Sequence, residues 1–260
     1  MAVSPILRIL SGPAELAGAA CGRIEEIIDH SLGERGVCSV ALSGGETPRA
    51  VYRLLAADKY KVSINWTRVH VFFGDERLVP PDDPESNFGM AQSAMLSRLP
   101  IPPGNINRVR GELPAGQAVE EYRRRVKEFF GDGPVLFDLV LLGLGKDGHT
   151  ASLFPGSDAL SESEASVTAV LAPGVKTQRA TLTLPVINNA RHILFLVTGR
   201  SKATIVRDVL AAEHPAPALP ATMVRPVNGD VEWVIDSDAA SQLTEDVRSL
   251  FRSPEQRTGG

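Results

Sequence analysis

The stretch 37-VCSVALSGGETPRAVYRLL-55 places a strand, a turn and the start of a helix in direct succession. Val37 to Leu42 is a short, largely apolar run of strand length. Gly44 and Gly45 interrupt it, and Pro48 then suits a first helical turn with Thr47 as its N-cap. A strand feeding a helix through a tight glycine turn is half of a βαβ unit.

The same alternation extends in both directions. Upstream lie a strand at Ile6 to Leu10 and a helix over residues 14–30. Downstream, strands are expected at Val69 to Phe73, Phe137 to Leu142, Ala180 to Leu184, Ile193 to Val197 and Val231 to Ile235. Helices are expected at Asn87 to Leu99, Ala118 to Phe130, Ser201 to Ala211 and near Ala239 to Phe251. Several of the strands are apolar on both faces, which suits a parallel sheet covered by helices on each side. No internal repeat and no long linker divides the 260 residues, so residues 1–260 are expected to form a single domain, with 253–260 as a flexible tail. The proline-rich pieces 78–84 and 214–220 read as stiff loops.

Composition excludes several classes of function. The chain carries 27 Lys and Arg against 31 Asp and Glu, a net charge of −4, so it has no general basic field for nucleic acid or an anionic membrane. An anionic small substrate therefore needs a local positive site. The apolar runs 135–145 and 193–199 fall far short of the ~20 residues of a membrane helix. The N-terminal residues lack the basic start of a signal peptide, and the cytoplasm is the expected compartment. Cys21 and Cys38 have no metal-ligand spacing and read as idle buried thiols in a reducing compartment. No His pattern suits a metal.

In open α/β sheets ligands bind beyond the carboxyl ends of the strands, and these ends carry unusual residues here. Val37 to Leu42 is followed by Ser43-Gly44-Gly45-Glu46-Thr47, and Val69 to Phe73 by Gly74-Asp75-Glu76-Arg77. Phe137 to Leu142 is followed by 143-GLGKDGHT-150, and Ile193 to Val197 by 198-TGRSK-202. A helix start behind two glycines can hold an anion on its free N–H groups, although read alone it is equally a plain turn. Its spacing is neither that of a Walker loop nor of a dinucleotide fingerprint. Lys202 and Arg179 can reach the same rim and grip a phosphate; a single Lys or Arg is more often a solvated charge. Asp75 can accept hydrogen bonds from sugar hydroxyls while Arg77 binds an anion, or the two can pair locally. For Glu76 a structural role is preferred, and Ser86 reads as a helix cap. His149, with Gly148 leaving room and Asp147 beside it, suits proton transfer near neutral pH, and KDGH reads equally as a tight turn with an incidental histidine.

Taken together, LSGGETP, FFGDERLVPPDDPESNFGMA, LVLLGLGKDGHTASLFPG, RATLTLP with INNARH, and LVTGRSKA closely resemble the 6-phosphogluconolactonases, a branch of the glucosamine-6-phosphate isomerase/deaminase superfamily. The resemblance runs in the family's order from Leu42 to Ala203. It implies a Rossmann-like three-layer α/β sandwich with a mostly parallel sheet, NagB/RpiA-like in type. It also implies hydrolysis of 6-phospho-D-glucono-1,5-lactone in the oxidative pentose phosphate pathway and implies no cofactor; the sequence does not settle the oligomeric state, for which a monomer is the expectation. On this resemblance Ser43, Gly44, Gly45, Thr47, Arg179 and Lys202 hold the phosphate, with Arg77 assisting. Asp75 orients hydroxyls, and His149, supported by Asp147, activates water. Backbone N–H groups from Gly143 to Gly145 are candidate oxyanion donors. Glu46 and Lys146 depart from the family's pattern, which is commonly small or polar at the first and proline at the second.

Two rivals stand beside this reading. A deaminase or isomerase of the same fold resembles DGHxxxxEP, with a glutamate where this chain has Phe154 before Pro155. A non-catalytic sugar-phosphate sensor is expected to follow a basic DNA-binding segment, and none precedes Ile6.

Overall fold

The computed structural model describes residues 5–171, 174, 177–211 and 219–253. Most of the proline-rich piece 214–220, and residues 254–260 of the expected tail, lie outside them.

Nine strands lie among the described residues: β1 (Ile6–Leu10), β2 (Cys38–Leu42), β3 (Val69–Phe73), β4 (Asp75–Arg77), β5 (Leu139–Leu142), β6 (Val167–Leu171), β7 (Gln178–Leu182), β8 (His192–Val197) and β9 (Asp230–Asp236). The α-helices are α1 (Pro13–Arg35), α2 (Glu46–Leu55), α3 (Asp58–Ser63), α4 (Asn87–Ala91), α5 (Ala115–Phe130), α6 (Leu184–Asn188), α7 (Ala203–Leu210) and α8 (Glu245–Ser249). Six strands form one sheet in the order β1-β9-β8-β5-β2-β3, and every pairing in it is parallel.

Alternation along the strands builds a core on each face of this sheet. Val40, Leu42, Val71, Phe73, Leu139 and Leu141 pack with α1 and α2 through Leu16, Ile24, Ile28, Val51 and Tyr52. Ala41, Phe72, Val140, Leu142 and Phe195 point the other way, toward Tyr122 and Val126 of α5 and Val206 of α7. Burying a large apolar side chain contributes about 1.5–3 kcal/mol, so both faces of each central strand stabilise the sheet. This explains the unbroken apolar runs in the sequence.

The structure departs from the sequence expectation in several places. RATLTLP does not join the parallel sheet: β7 spans Gln178–Leu182 and lies between β4 and β6 in a separate antiparallel sheet. The following Leu184 and Pro185 instead begin α6, because proline fits the first helical turn. α2 starts two residues before Pro48, with Gly45 at φ +104° as its N-cap, and the Thr47 hydroxyl meets Thr198 at 2.7 Å instead of capping. The helix expected from Asn87 to Leu99 is α4 followed by a π-helical turn at Gln92–Leu96. Near the C-terminus only Glu245–Ser249 is α-helical, since the Asp236 carboxylate accepts from Ala239 N and Gly199 N and fixes a turn there.

Strand order determines where a crevice opens. From β2 the chain moves outward to β3, whereas β5 pairs on the other side of β2 and leads to β8 and β9. The reversal between β2 and β5 is a topological switch point, and the carboxyl ends of these strands part there.

Candidate active site

A cleft of ≈ 550 Å³ opens at that switch point. Its lining includes the Ser43–Thr47 loop, Asp75, Arg77, His149, Arg179 and Lys202, with Asp147 immediately behind the histidine. The four strand-end segments singled out in the sequence thus meet at one place. The second sheet supplies one wall: Gly74 N donates to Leu42 O, and Leu182 N donates to Gly74 O, both at 2.8 Å, so β4 and β7 lean over the end of β2.

Two buried tyrosines fix the strand tips. The Tyr52 hydroxyl accepts from Ser43 N at 3.0 Å and donates to Ser43 O at 2.8 Å. Tyr122 does the same for Phe73, at 2.7 and 2.8 Å. Burial pushes both phenols well above their ordinary range, so they stay neutral and can donate. Gly44 is obligatory in this arrangement, because an added Cβ would lie 1.9 Å from Asn87 Oδ1. Glu46 turns its charge outward, 80% exposed and 3.1 Å from Arg49.

Among the buried polar atoms without a hydrogen-bond partner are Ser43 Oγ, Arg77 Nε and Arg179 Nε, all belonging to cleft residues. A buried group left unpaired costs about 1–3 kcal/mol, and an anion held among these donors offsets that cost. Burial first, and the neighbouring Arg77 second, hold the Arg179 pKa below its ordinary value, yet it remains a cation at neutral pH. Lys202 Nζ donates to Leu144 O at 2.6 Å; burial, and then Lys146, lower its pKa. Like charges gathered at one mouth favour an anionic ligand.

His149 sits in a turn built for it. Gly145 N donates to His149 O at 2.8 Å, Gly148 N to Gly145 O at 3.1 Å, and Gly148 adopts φ +81°. The Gly145 N–H is therefore committed to the turn and drops out as an oxyanion donor. A Cβ on Gly145 would fall 2.1 Å from His149 Nδ1. Asp147 Oδ1 lies 2.5 Å from that nitrogen and 3.2 Å from the His149 backbone N–H. Since an ionised carboxylate only accepts, the proton belongs on Nδ1 and the lone pair on Nε2. Burial alone would raise the Asp147 pKa, but the charge and hydrogen bonds of His149 outweigh it and the net shift is downward.

Asp75 is 6% exposed and held on both oxygens: Ser152 Oγ donates to Oδ2 at 2.6 Å, and Asn87 Nδ2 to Oδ1 at 3.3 Å. Its cation neighbour is Arg179, at 4.0 Å. Arg77 instead donates to Glu85 O at 2.5 Å. Glu76 has the structural role expected of it, accepting from Arg77 N, Asn87 N and Phe88 N and so tying α4 to β4. Ser86 caps α4 through Gly89 N at 3.0 Å. Asn87, Ser152 and Thr198 lie within the quoted motifs, but the sequence reading gave none of them a role in the site, since nothing local marks one. Gly44 and the SN after the proline loop were visible, but their contact was not.

Among the described residues no group of three or more His, Cys, Asp or Glu side chains is arranged to hold a metal ion, and no helix is long and apolar enough to cross a membrane.

Comparison with known proteins bears on this geometry. Residues 11–233 match the family described as glucosamine-6-phosphate isomerases/6-phosphogluconolactonase. The chain is 38% identical over 243 residues to a 6-phosphogluconolactonase of Rattus norvegicus, covering 92% of this chain and 94% of that one. It is 37% identical over 246 residues to the human 6-phosphogluconolactonase, with coverage of 92% and 94%. The solved 6-phosphogluconolactonase from Trypanosoma cruzi superposes with a TM-score of 0.83 at 36% identity, over 94% of this chain and 98% of that one.

Proposed function

The chain belongs to the glucosamine-6-phosphate isomerase/6-phosphogluconolactonase family, and on that premise we propose that it hydrolyses 6-phospho-D-glucono-1,5-lactone to 6-phospho-D-gluconate, with His149 as the general base. The supporting observation is the 2.5 Å contact of His149 Nδ1 with Asp147, which leaves Nε2 as the basic nitrogen of a side chain lining the cleft. Nε2 takes a proton from water as its oxygen attacks C1 of the lactone. Asp147 offsets the charge that the imidazole gains. The tetrahedral intermediate then breaks its bond from C1 to the ring oxygen, and the imidazolium returns the proton to that oxygen. The carboxylic acid product ionises into solvent.

The Ser43–Thr47 loop, Arg179, Lys202 and Arg77 grip the phosphate in this reading, and Asp75 aligns sugar hydroxyls. The anchoring of both Asp75 oxygens by Ser152 and Asn87 favours an orienting carboxylate over one that abstracts a proton from carbon, as a deaminase or isomerase requires. Phe154, 5% exposed, gives that rival no carboxylate beside His149. The protein acts as a cytoplasmic monomer without a cofactor. Two buried free thiols suit a reducing compartment, and the large exposed apolar residues Ile9, Val62, Leu171, Val227 and Leu250 come from separate elements or loops.

The test is the rate of loss of freshly made lactone near neutral pH, for wild type, His149→Ala and a protein-free blank. Wild type is expected to exceed the blank, and His149→Ala to lose about 10²–10⁴-fold in kcat. A wild type no faster than the blank overturns the activity, and a fully active His149→Ala overturns the base.

A further inference from the structure

Phe154 touches both ends of the reaction. Its ring centroid lies 4.5 Å from that of the His149 imidazole, at 45°, and the Arg179 guanidinium carbon stands 5.3 Å from the same centroid. The chain between His149 and Phe154 is folded back to make this possible. Ala151 adopts φ +48°, Leu153 N donates to Thr150 O at 2.9 Å, and Ser152 N donates to Thr181 Oγ1 at 3.2 Å, which pins the turn to β7 beside Arg179.

Neither functional side chain is well fixed without that ring. The imidazole has one side-chain hydrogen bond, to Asp147, which fixes a nitrogen but leaves the tilt of the ring open. Gly145 confines it, since not even a Cβ fits there, and Phe154 supplies the aromatic contact. Arg179 has weak polar anchors: Ser152 Oγ at 3.5 Å, Asp75 Oδ2 at 4.0 Å, and a buried Nε without a partner. A guanidinium over an aromatic ring is attracted by its quadrupole, more so when desolvated.

We propose that Phe154 is a positioning residue that sets the imidazole of His149 and the guanidinium of Arg179 relative to one another through a single aromatic ring. It rests on the lactonase reading and adds a link between the phosphate grip and the base. The ring fixes how far the reacting carbonyl lies from the base once the phosphate is seated.

The experiment compares wild type, Phe154→Leu, the milder Phe154→Met and the ring-retaining Phe154→Tyr. Each is measured for kcat and KM on the lactone, for the dissociation constant of inorganic phosphate by calorimetry, and for folding by circular dichroism. Loss of the ring is expected to lower kcat about 10- to 100-fold, as misplacement of a catalytic group does. It is also expected to weaken phosphate binding about two- to tenfold, the scale of a lost cation–π contact. Phe154→Tyr should recover most of both. Folded Leu or Met variants with wild-type kcat, KM and phosphate affinity overturn the proposal. So does a fall in kcat with phosphate affinity unchanged, which assigns the ring to the fold or to His149 alone. A wild type inert on the lactone fails the functional reading instead, and an active wild type separates the two.

Discussion

In the proposed mechanism Asp147 decides which nitrogen of His149 is the base, so its effect should exceed that of an ordinary neighbour. Asp147→Asn is expected to lower kcat by about 10²-fold, short of the ~10⁴ lost when a wrong tautomer is locked in, because an amide presents either its oxygen or its NH₂ to Nδ1. Steady-state kinetics on the folded variant checks this. The downward shift of the Asp147 pKa also gives a sign for pH dependence. A depressed carboxyl contributes stability above its unfolded value and loses it as pH falls through the folded value. The difference in Tm between wild type and Asp147→Asn should therefore shrink as the carboxylate takes up its proton and vanish below the ordinary Asp range. Arg179→Ala and Lys202→Ala act on binding: both are expected to raise KM with little change in kcat if the phosphate is held equally in ground and transition states. An unchanged KM in both variants moves the phosphate site elsewhere.

At the scale of elements, the turn after each strand sets the chemistry. The loop after β2 depends on Gly44 for the close approach of Asn87, whose Oδ1 would lie 1.9 Å from an added Cβ. Gly44→Ala is expected to force the loop or α4 aside, costing about 1–3 kcal/mol as overpacking does. A raised KM should accompany it, and thermal denaturation with kinetics checks both. The glycine pair, the strand and the helix were legible locally, since apolar runs and breakers act within a few residues. The start of α2 was not. Thr47 looked like the N-cap, but its hydroxyl meets Thr198, which is distant in sequence. β4 and β6 were missed because DER is polar and short, and because β6, at a sheet edge, buries only Val167 and Val170, three residues apart, and so lacks a strand period. Their strand character comes from pairing with β7, which sequence periodicity does not report.

At the scale of the molecule, two cores lie on opposite faces of one sheet, and the one under α1 and α2 encloses both cysteines. Cys21 and Cys38 are fully buried, and burial pushes each thiol up to about 12. A disulfide reagent such as Ellman's is expected to titrate neither in the native protein near pH 8 and both in denaturant. Rapid native reaction would show that the core around α1 and β2 opens. The sequence by itself determined the βα alternation, the residue types at the strand ends and the family resemblance, because apolar period, turn chemistry and motif order are local properties of the chain. Only the tertiary structure decided that β2 and β5 flank the switch point, and that the first four residues of RATLTLP belong to a second sheet. It also decided that Ser152 and Asn87 hold Asp75, that Leu144 O holds Lys202, and that one phenylalanine touches both His149 and Arg179. Most of these contacts join residues far apart in the chain, and strand order together with the turns that carry them sets which of those residues meet.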